Sequence, residues 1–161
     1  GVDLMLHAYM PIQSGIPMLY SGDEIGQLND YSYQDDPDKC QDSRYIHRGA
    51  FQWELAKKRK NKTSPQGRIF QGLDRLEQIR KQDLVFAEDA AVYTVPTGHH
   101  GILCVIREKD GRRMAGVFNF TSHDASVPVW QDAQGQDMLT GGAADLSEVP
   151  VAGHGFRWIV F

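Results

Sequence analysis

The sequence predicts an α+β chain in two parts: helix, buried strand, long polar loop and amphipathic helix over residues 1–85, then a small antiparallel β-sandwich over residues 86–161. Three observations carry this. The short apolar run Ile16-Pro17-Met18-Leu19-Tyr20 lacks the alternation of a half-exposed strand and suits one buried on both faces, as in a parallel sheet. Ile69, Leu73, Leu76 and Ile79 stand at spacings of four, three and three, with Arg, Lys and Glu between them, which is the pattern of an amphipathic helix over 67–82. Beyond Asp83, short runs rich in β-branched and aromatic residues succeed one another with Gly, Asp, Asn and Pro clusters between them, as in a sandwich.

The elements follow in order. Val2, Met5, Leu6, Tyr9 and Ile12 share one helical stripe across residues 2–13, and Pro11 should kink or end that helix. A turn at Ser14-Gly15 leads into the apolar run, and a helix feeding a buried strand is half of a repeating βα pattern. From Asp23 to Pro65 the chain is polar and without period, a length of irregular structure that is either functional or disordered. Its aromatics Tyr31, Tyr33, Tyr45, Phe51 and Trp53 argue for an ordered loop, and residues 55–62 add a short basic helix. Strands are expected at 91–95, 101–107, 113–120, 126–130 and 156–161, with Lys109-Asp110-Gly111 as a hairpin turn. The boundary between the two parts falls within 83–90.

Composition narrows the function classes. A net charge of -4, with basic residues spread rather than striped, offers no attraction for nucleic acid or an anionic membrane, so neither is expected as a partner. Cys40 and Cys104 lie far apart and outside any zinc spacing, so they read as two unpaired thiols in a reducing compartment, which points to a cytoplasmic location. The chain begins without Met, without a basic leader and in mid-pattern, which suggests a piece of a longer protein.

Few residues carry chemistry. Asp23-Glu24 closes the buried run, and strand ends of parallel sheets are where active sites are built. Neighbours in an extended segment point to opposite sides, however, so the pair cannot flank one scissile bond; lining a site and anchoring the loop both remain open. In Asp42-Ser43-Arg44-Tyr45-Ile46-His47-Arg48 the guanidinium of Arg44 beside Asp42 suits a structural ion pair or a clamp on sugar hydroxyls, the ion pair being favoured. His47 has no positioned nucleophile to serve. The acidic residues at 35–38 lack the spacing and the Gly of a calcium loop, so no metal is expected there. Nucleotide-binding, nucleophile-elbow and zinc-protease motifs are missing from the sequence.

The segment Gly15-Ile16-Pro17-Met18-Leu19-Tyr20-Ser21-Gly22-Asp23-Glu24 closely resembles the stretch at the eighth strand of α-amylase superfamily barrels (glycoside hydrolase family 13). Leu28-Asn29-Asp30, then Asp42-Ser43-Arg44-Tyr45-Ile46-His47-Arg48 with Phe51 and Trp53, resemble the eighth loop of amylosucrases and sucrose hydrolases, and 67–73 resembles the start of their eighth helix. Tyr45 stands where those enzymes commonly have Trp, and the terminal sandwich matches only loosely. The resemblance implies that residues 1–85 are the last βα unit of a TIM (β/α)8 barrel and that 86–161 are its C-terminal β-sandwich domain. It implies a retaining enzyme acting on sucrose or an α-glucan without cofactor. The nucleophilic Asp, the acid/base Glu and the stabilising Asp would all precede residue 1, so the chain holds no catalytic residue and is inactive alone. Arg44, Asp42 and Glu24 are then the expected substrate-binding residues. In amylosucrases the matching Arg pairs with an Asp of an early barrel loop, so Arg44 is expected unpaired and mobile here.

The alternative is a structural or carbohydrate-binding sandwich module, which exposed Trp130 and Trp158 would favour as a binder and buried ones as structure. A barrel edge without its neighbours should self-associate through its exposed barrel-facing surface, pack the stripe Ile69, Leu73, Leu76 and Ile79 on its own sandwich, or leave residues 1–65 poorly ordered.

Overall fold

Two adjacent strands with apolar residues on both faces form the centre of the fold: β2 (Ile102–Lys109) and β3 (Arg112–Asn119). Period two sorts their side chains. Val105, Met114 and Phe118 enter one hydrophobic cluster, while Cys104, Ile106, Ala115 and Val117 enter the other, so both faces of the sheet are covered. The hairpin between them turns through Asp110 and Gly111, at φ 50° and 79°, the two left-handed positions of a type I′ turn that Asp-Gly supplies cheaply. The structure is a computed structural model that describes residues 2–161. Its remaining strands are β1 (Ala91–Val95), β4 (Ala125–Val127), β5 (Gln134–Asp137), β6 (Ala143–Asp145), β7 (Val149–Val151) and β8 (Phe156–Val160). With β2 and β3, four of these make one six-stranded antiparallel sheet in the order β1-β2-β3-β8-β5-β6, and β4 pairs with β7 in a two-stranded ribbon.

Three α-helices stand among the described residues: α1 (Val2–Tyr9), α2 (Trp53–Ala56) and α3 (Pro65–Gln82). One compact unit runs through Met18 and resumes at Gly72–Phe161; the other is Leu19–Gln71. In the first, Met5 and Ala8 of α1, Ile12 of the 3-10 turn Met10–Ile12, and Leu76 and Ile79 of α3 pack on one face of the sheet against Phe118 and Trp158. Close approach is possible there because Gly116 has no side chain: a Cβ at that position would sit 2.2 Å from Ile12 Cδ1. The ribbon, with Val127, Val149 and Val151, covers the opposite face together with Val129 and Leu146. The expected sandwich is therefore a sheet with helices on one side and only a small ribbon on the other, because the apolar stripes of α1 and α3 need the same surface a second sheet would use.

Arg107 joins these layers. Though 3% exposed, it has no carboxylate partner among the described residues; its guanidinium donates to the carbonyls of Val85 (2.6 Å), Ile12 (2.9 Å), Gln13 (3.1 Å) and Ala87 (2.8 Å). Burial, with the charge of Arg80 adding to it, pulls its pKa below the usual arginine value. The backbone acceptors at the end of the α1 segment and around the 3-10 turn Leu84–Phe86 are thus satisfied by a single side chain.

Residues 16–20 form no strand, contrary to the sequence expectation. Ile16 is 87% exposed and Met18 78%, and Leu19 and Tyr20 are exposed as well. A strand buried on both faces needs a hydrogen-bonding neighbour on each edge and cover above and below, and the described residues offer this segment neither. The α3 stripe, by contrast, packs on the chain's own sheet through Leu76 and Ile79, the second of the three outcomes anticipated above. Compactness also divides the chain elsewhere than at 85/86, because α1 and the second half of α3 pack with the strands.

Candidate functional site

The unit Leu19–Gln71 carries all three residues expected to bind substrate, on short turns rather than on long elements. Asp23 and Glu24 occupy a 3-10 turn, Asp23–Ile25, between Gly22 and Gly26, both at positive φ. The turn changes the extended geometry assumed from sequence. Its carboxylates bind the backbone just upstream: Glu24 Oε2 accepts from the Gly22 amide (2.8 Å) and Asp23 Oδ2 from the Tyr20 amide (3.2 Å). The anchoring role is thus filled for both.

Downstream, side chains fold the polar stretch back on itself. Gln27 donates to the Ala50 carbonyl (3.1 Å) and accepts from the Gln52 amide (3.0 Å), so one side chain ties residues 23 and 25 positions apart. Just before the turn Ser32–Asp35, Asp30 accepts from Ser32 N (2.9 Å) and Oγ (2.6 Å), and its own amide donates to Ile46 O (2.9 Å). The loop is ordered by these local polar bonds; Ile25 and Ala56 are its buried apolar side chains.

Asp42 and Arg44 meet each other. Asp42 Oδ1 accepts from the Arg44 amide (3.0 Å), which opens the turn Ser43–His47, and its two oxygens take Nε (2.8 and 3.1 Å) and Nη2 (2.7 Å) of the same guanidinium. These hydrogen bonds hold the Asp42 carboxyl at about 2, and the Arg44 pKa is raised by the same contact. The expectation of an unpaired Arg44 is corrected: with a carboxylate two residues away in a turn geometry, the guanidinium closes on it locally. The Arg44 side chain remains 73% exposed, so the pair sits at the surface. Two cations approach the Tyr45 ring, Lys39 at 5.9 Å and Arg48 at 5.6 Å from its centroid.

A concavity of about 50 Å³ lies nearby, lined by Asp23, Gln27, Asn29 and His47 among others. It brings together polar residues from the segments 20–29 and 46–49: Asp23, for which lining a site was left open, with Gln27 and Asn29, which were not weighed as site residues, and His47. Only the loop's through-space closure by Gln27 reveals them, and no spacing in the sequence encodes it. Glu24, Asp42 and Arg44 are not among its lining residues. Ligand pockets run to roughly 300 Å³ and more, so this cavity alone does not enclose a sugar ring. Among the described residues no three His, Cys, Asp or Glu side chains group as metal ligands, and Asp36 of the acidic run is engaged by Lys39.

In the other unit, Trp158 is fully buried, and Trp130 is half-buried against Phe161 (5.4 Å between centroids) with Arg113 over its ring (5.0 Å). Trp158 therefore offers no stacking platform, while Trp130 lines a concavity of about 370 Å³ with Val95, Pro96 and Pro128.

No protein-family model matches the chain. Solved structures do share its fold. The maltogenic amylase from S. marinus covers 99% of the chain at 18% identity and TM-score 0.67, with 19% of its own length. Trehalulose synthase MutB from Pseudomonas mesoacidophila MX-45, of which a variant is known in complex with the substrate sucrose, covers 99% at 15% identity and TM-score 0.75, with 38% of its length. AmyP in complex with maltose covers 98% at 17% identity and TM-score 0.78, with 34% of its length. These neighbours are α-amylase-family enzymes, and the chain has the fold of a segment spanning about a fifth to two fifths of their length.

Proposed function

We propose that the chain is the C-terminal portion of an α-amylase-family retaining glycoside hydrolase or glucosyltransferase, amylosucrase-like and acting on sucrose or an α-glucan. On this reading residues 1–85 close the catalytic barrel and 86–161 form its β-domain. The observation that carries it is the exposed run Ile16–Tyr20 leading into Gly22-Asp23-Glu24, an apolar segment shaped to be covered on both faces. The fold shared with α-amylase-family enzymes over nearly the whole chain supports it.

In the parent, the eighth strand would place Glu24 at the carboxyl end of the barrel, where such enzymes build their sites. Arg44, held by Asp42, would close the floor of the glucosyl pocket. The pair is solvent-exposed, so a carboxylate arriving from an early barrel loop could share the guanidinium at little cost. A retaining mechanism needs a nucleophilic carboxylate and an acid/base carboxyl about 5 to 5.5 Å apart across the glycosidic bond. Neither is assigned to this chain, so its part is binding and support rather than bond breaking. The burial of Trp158 and the packing of Trp130 favour support over glycan capture for the β-domain.

The test compares two proteins on sucrose: this chain, and the same chain fused to the preceding barrel. The chain alone should release neither glucose nor fructose, the fusion should release fructose, and Arg44→Ala in the fusion should raise KM. Sucrose cleavage by the chain alone, or full activity in the Arg44→Ala fusion, would contradict the reading.

A further inference from the structure

We propose that the basic turn over residues 53–62 is a peripheral docking site for an anionic lipid surface. The positive charge is not spread as whole-chain composition suggests. Six of the 17 basic residues fall within 55–73, where no acidic residue stands, leaving 11 against 21 acids elsewhere. α2 and the 3-10 turn Lys57–Lys60 present them, and every residue from 57 to 62 is exposed.

Few of these charges are used within the chain. Lys57 reaches Glu54 at 2.5 Å, and Arg59 turns back onto the Ala56 carbonyl (3.0 Å) and the Phe70 ring (6.0 Å). The side chains of Lys58, Lys60, Lys62 and Arg68 have no ionic or hydrogen-bond partner among the described residues. Beside them Trp53 is 72% exposed, with only a ring edge against Phe51 at 4.8 Å.

An indole held in water next to a lysine cluster is the combination that seats at headgroup level: the ring enters the interface and the cations meet lipid phosphates. The cations face solvent instead of lining a pocket, so they suit a continuous anionic surface, which reads charge density and needs no fixed geometry. Single-stranded nucleic acid would also use an aromatic, but it needs a track of several along a groove, and one Trp beside one turn does not provide that. Nor does the acidic balance elsewhere forbid attachment, because charges beyond about 8 Å are largely screened at physiological ionic strength. Among the described residues no helix is long and apolar enough to cross a membrane, and the attachment proposed is peripheral.

Sedimentation of the full chain with vesicles tests this. Vesicles of phosphatidylcholine containing about a quarter phosphatidylglycerol should carry the chain down at physiological ionic strength and release it as salt rises further. Vesicles of pure phosphatidylcholine should not. Each of Lys58→Gln, Lys60→Gln and Lys62→Gln should lower partitioning roughly fivefold, Trp53→Ala should weaken it further, and a Lys58→Glu/Lys60→Glu/Lys62→Glu variant should stay in the supernatant. All these positions are exposed, and unchanged far-ultraviolet circular dichroism confirms that the variants fold. Equal sedimentation with neutral vesicles, none with anionic vesicles at physiological ionic strength, unaltered binding by the triple variant, or preferential capture by a single-stranded RNA competitor would overturn the proposal.

Discussion

The two cysteines have the same chemistry and opposite surroundings. Cys104 faces the ribbon side of the sheet with no exposed surface, and burial pushes its thiol up to about 12. Cys40 is half-buried in the polar loop, where its thiol donates to the Pro37 carbonyl at 3.6 Å. A thiol reacts as the thiolate, so Cys104 stays inert until the pH nears its raised value or the sheet opens. Titration with a disulfide reagent at mildly alkaline pH should therefore modify Cys40 alone in the folded chain, and Cys104 only after denaturant is added. Rapid modification of both thiols without denaturant would show that this face of the sheet is not closed. Sequence separated these cysteines by distance along the chain but not by environment. Arg107 is the stronger case: it reads as the polar end of a strand, and only the converging carbonyls of Val85, Ile12, Gln13 and Ala87 show why a charge is buried there.

Among elements, legibility follows the length and regularity of the hydrophobic pattern. α3 was readable because its stripe repeats over several turns, and β1, β2, β3 and β8 because their apolar runs end at turn residues such as Asp110-Gly111. β5, β6 and β7 were not, being three or four residues long with sequences such as Gln134-Gly135-Gln136-Asp137 that carry no strand preference of their own. Their pairing is set by neighbours: β5 lies against β8, β6 against β5 and β7 against β4, and β5 ends at the buried Asp137. Burial pushes the Asp137 carboxyl up, but the Thr140 amide, the Arg157 guanidinium and the Leu139 amide outweigh it and hold it below the usual range. The same logic grades substitutions on α3. Leu76 is 2% exposed and packs against the sheet, so Leu76→Ala should cost roughly 2–5 kcal/mol in urea unfolding, while half-buried Leu73 should cost clearly less as Ala. Equal losses at both positions would mean that the stripe is not seated on the sheet as described.

For the whole molecule the segment 16–20 decides the outcome, because its apolar side chains are exposed and, on the function proposed above, belong inside a larger sheet. At full burial Ile16, Met18 and Leu19 of both copies would gain roughly 9–18 kcal/mol, against an association cost of about 4–15 kcal/mol. Two copies meeting edge to edge also leave both faces of a two-stranded ribbon open, so the contact is weak where a barrel would be firm. The Leu76 and Ile79 half of the α3 stripe cannot contribute, since the chain's own sheet already covers it. Light scattering over increasing protein concentration should show the mean mass rising above that of the 18.1 kDa chain. Ile16→Lys/Met18→Lys should hold it at the monomer, because a charged side chain on an unpaired edge opposes pairing. The fusion carrying the preceding barrel should also remain monomeric, with the segment covered in cis. A double variant that associates as readily as the parent chain would place the contact elsewhere and remove the main physical sign that these residues belong inside a larger sheet.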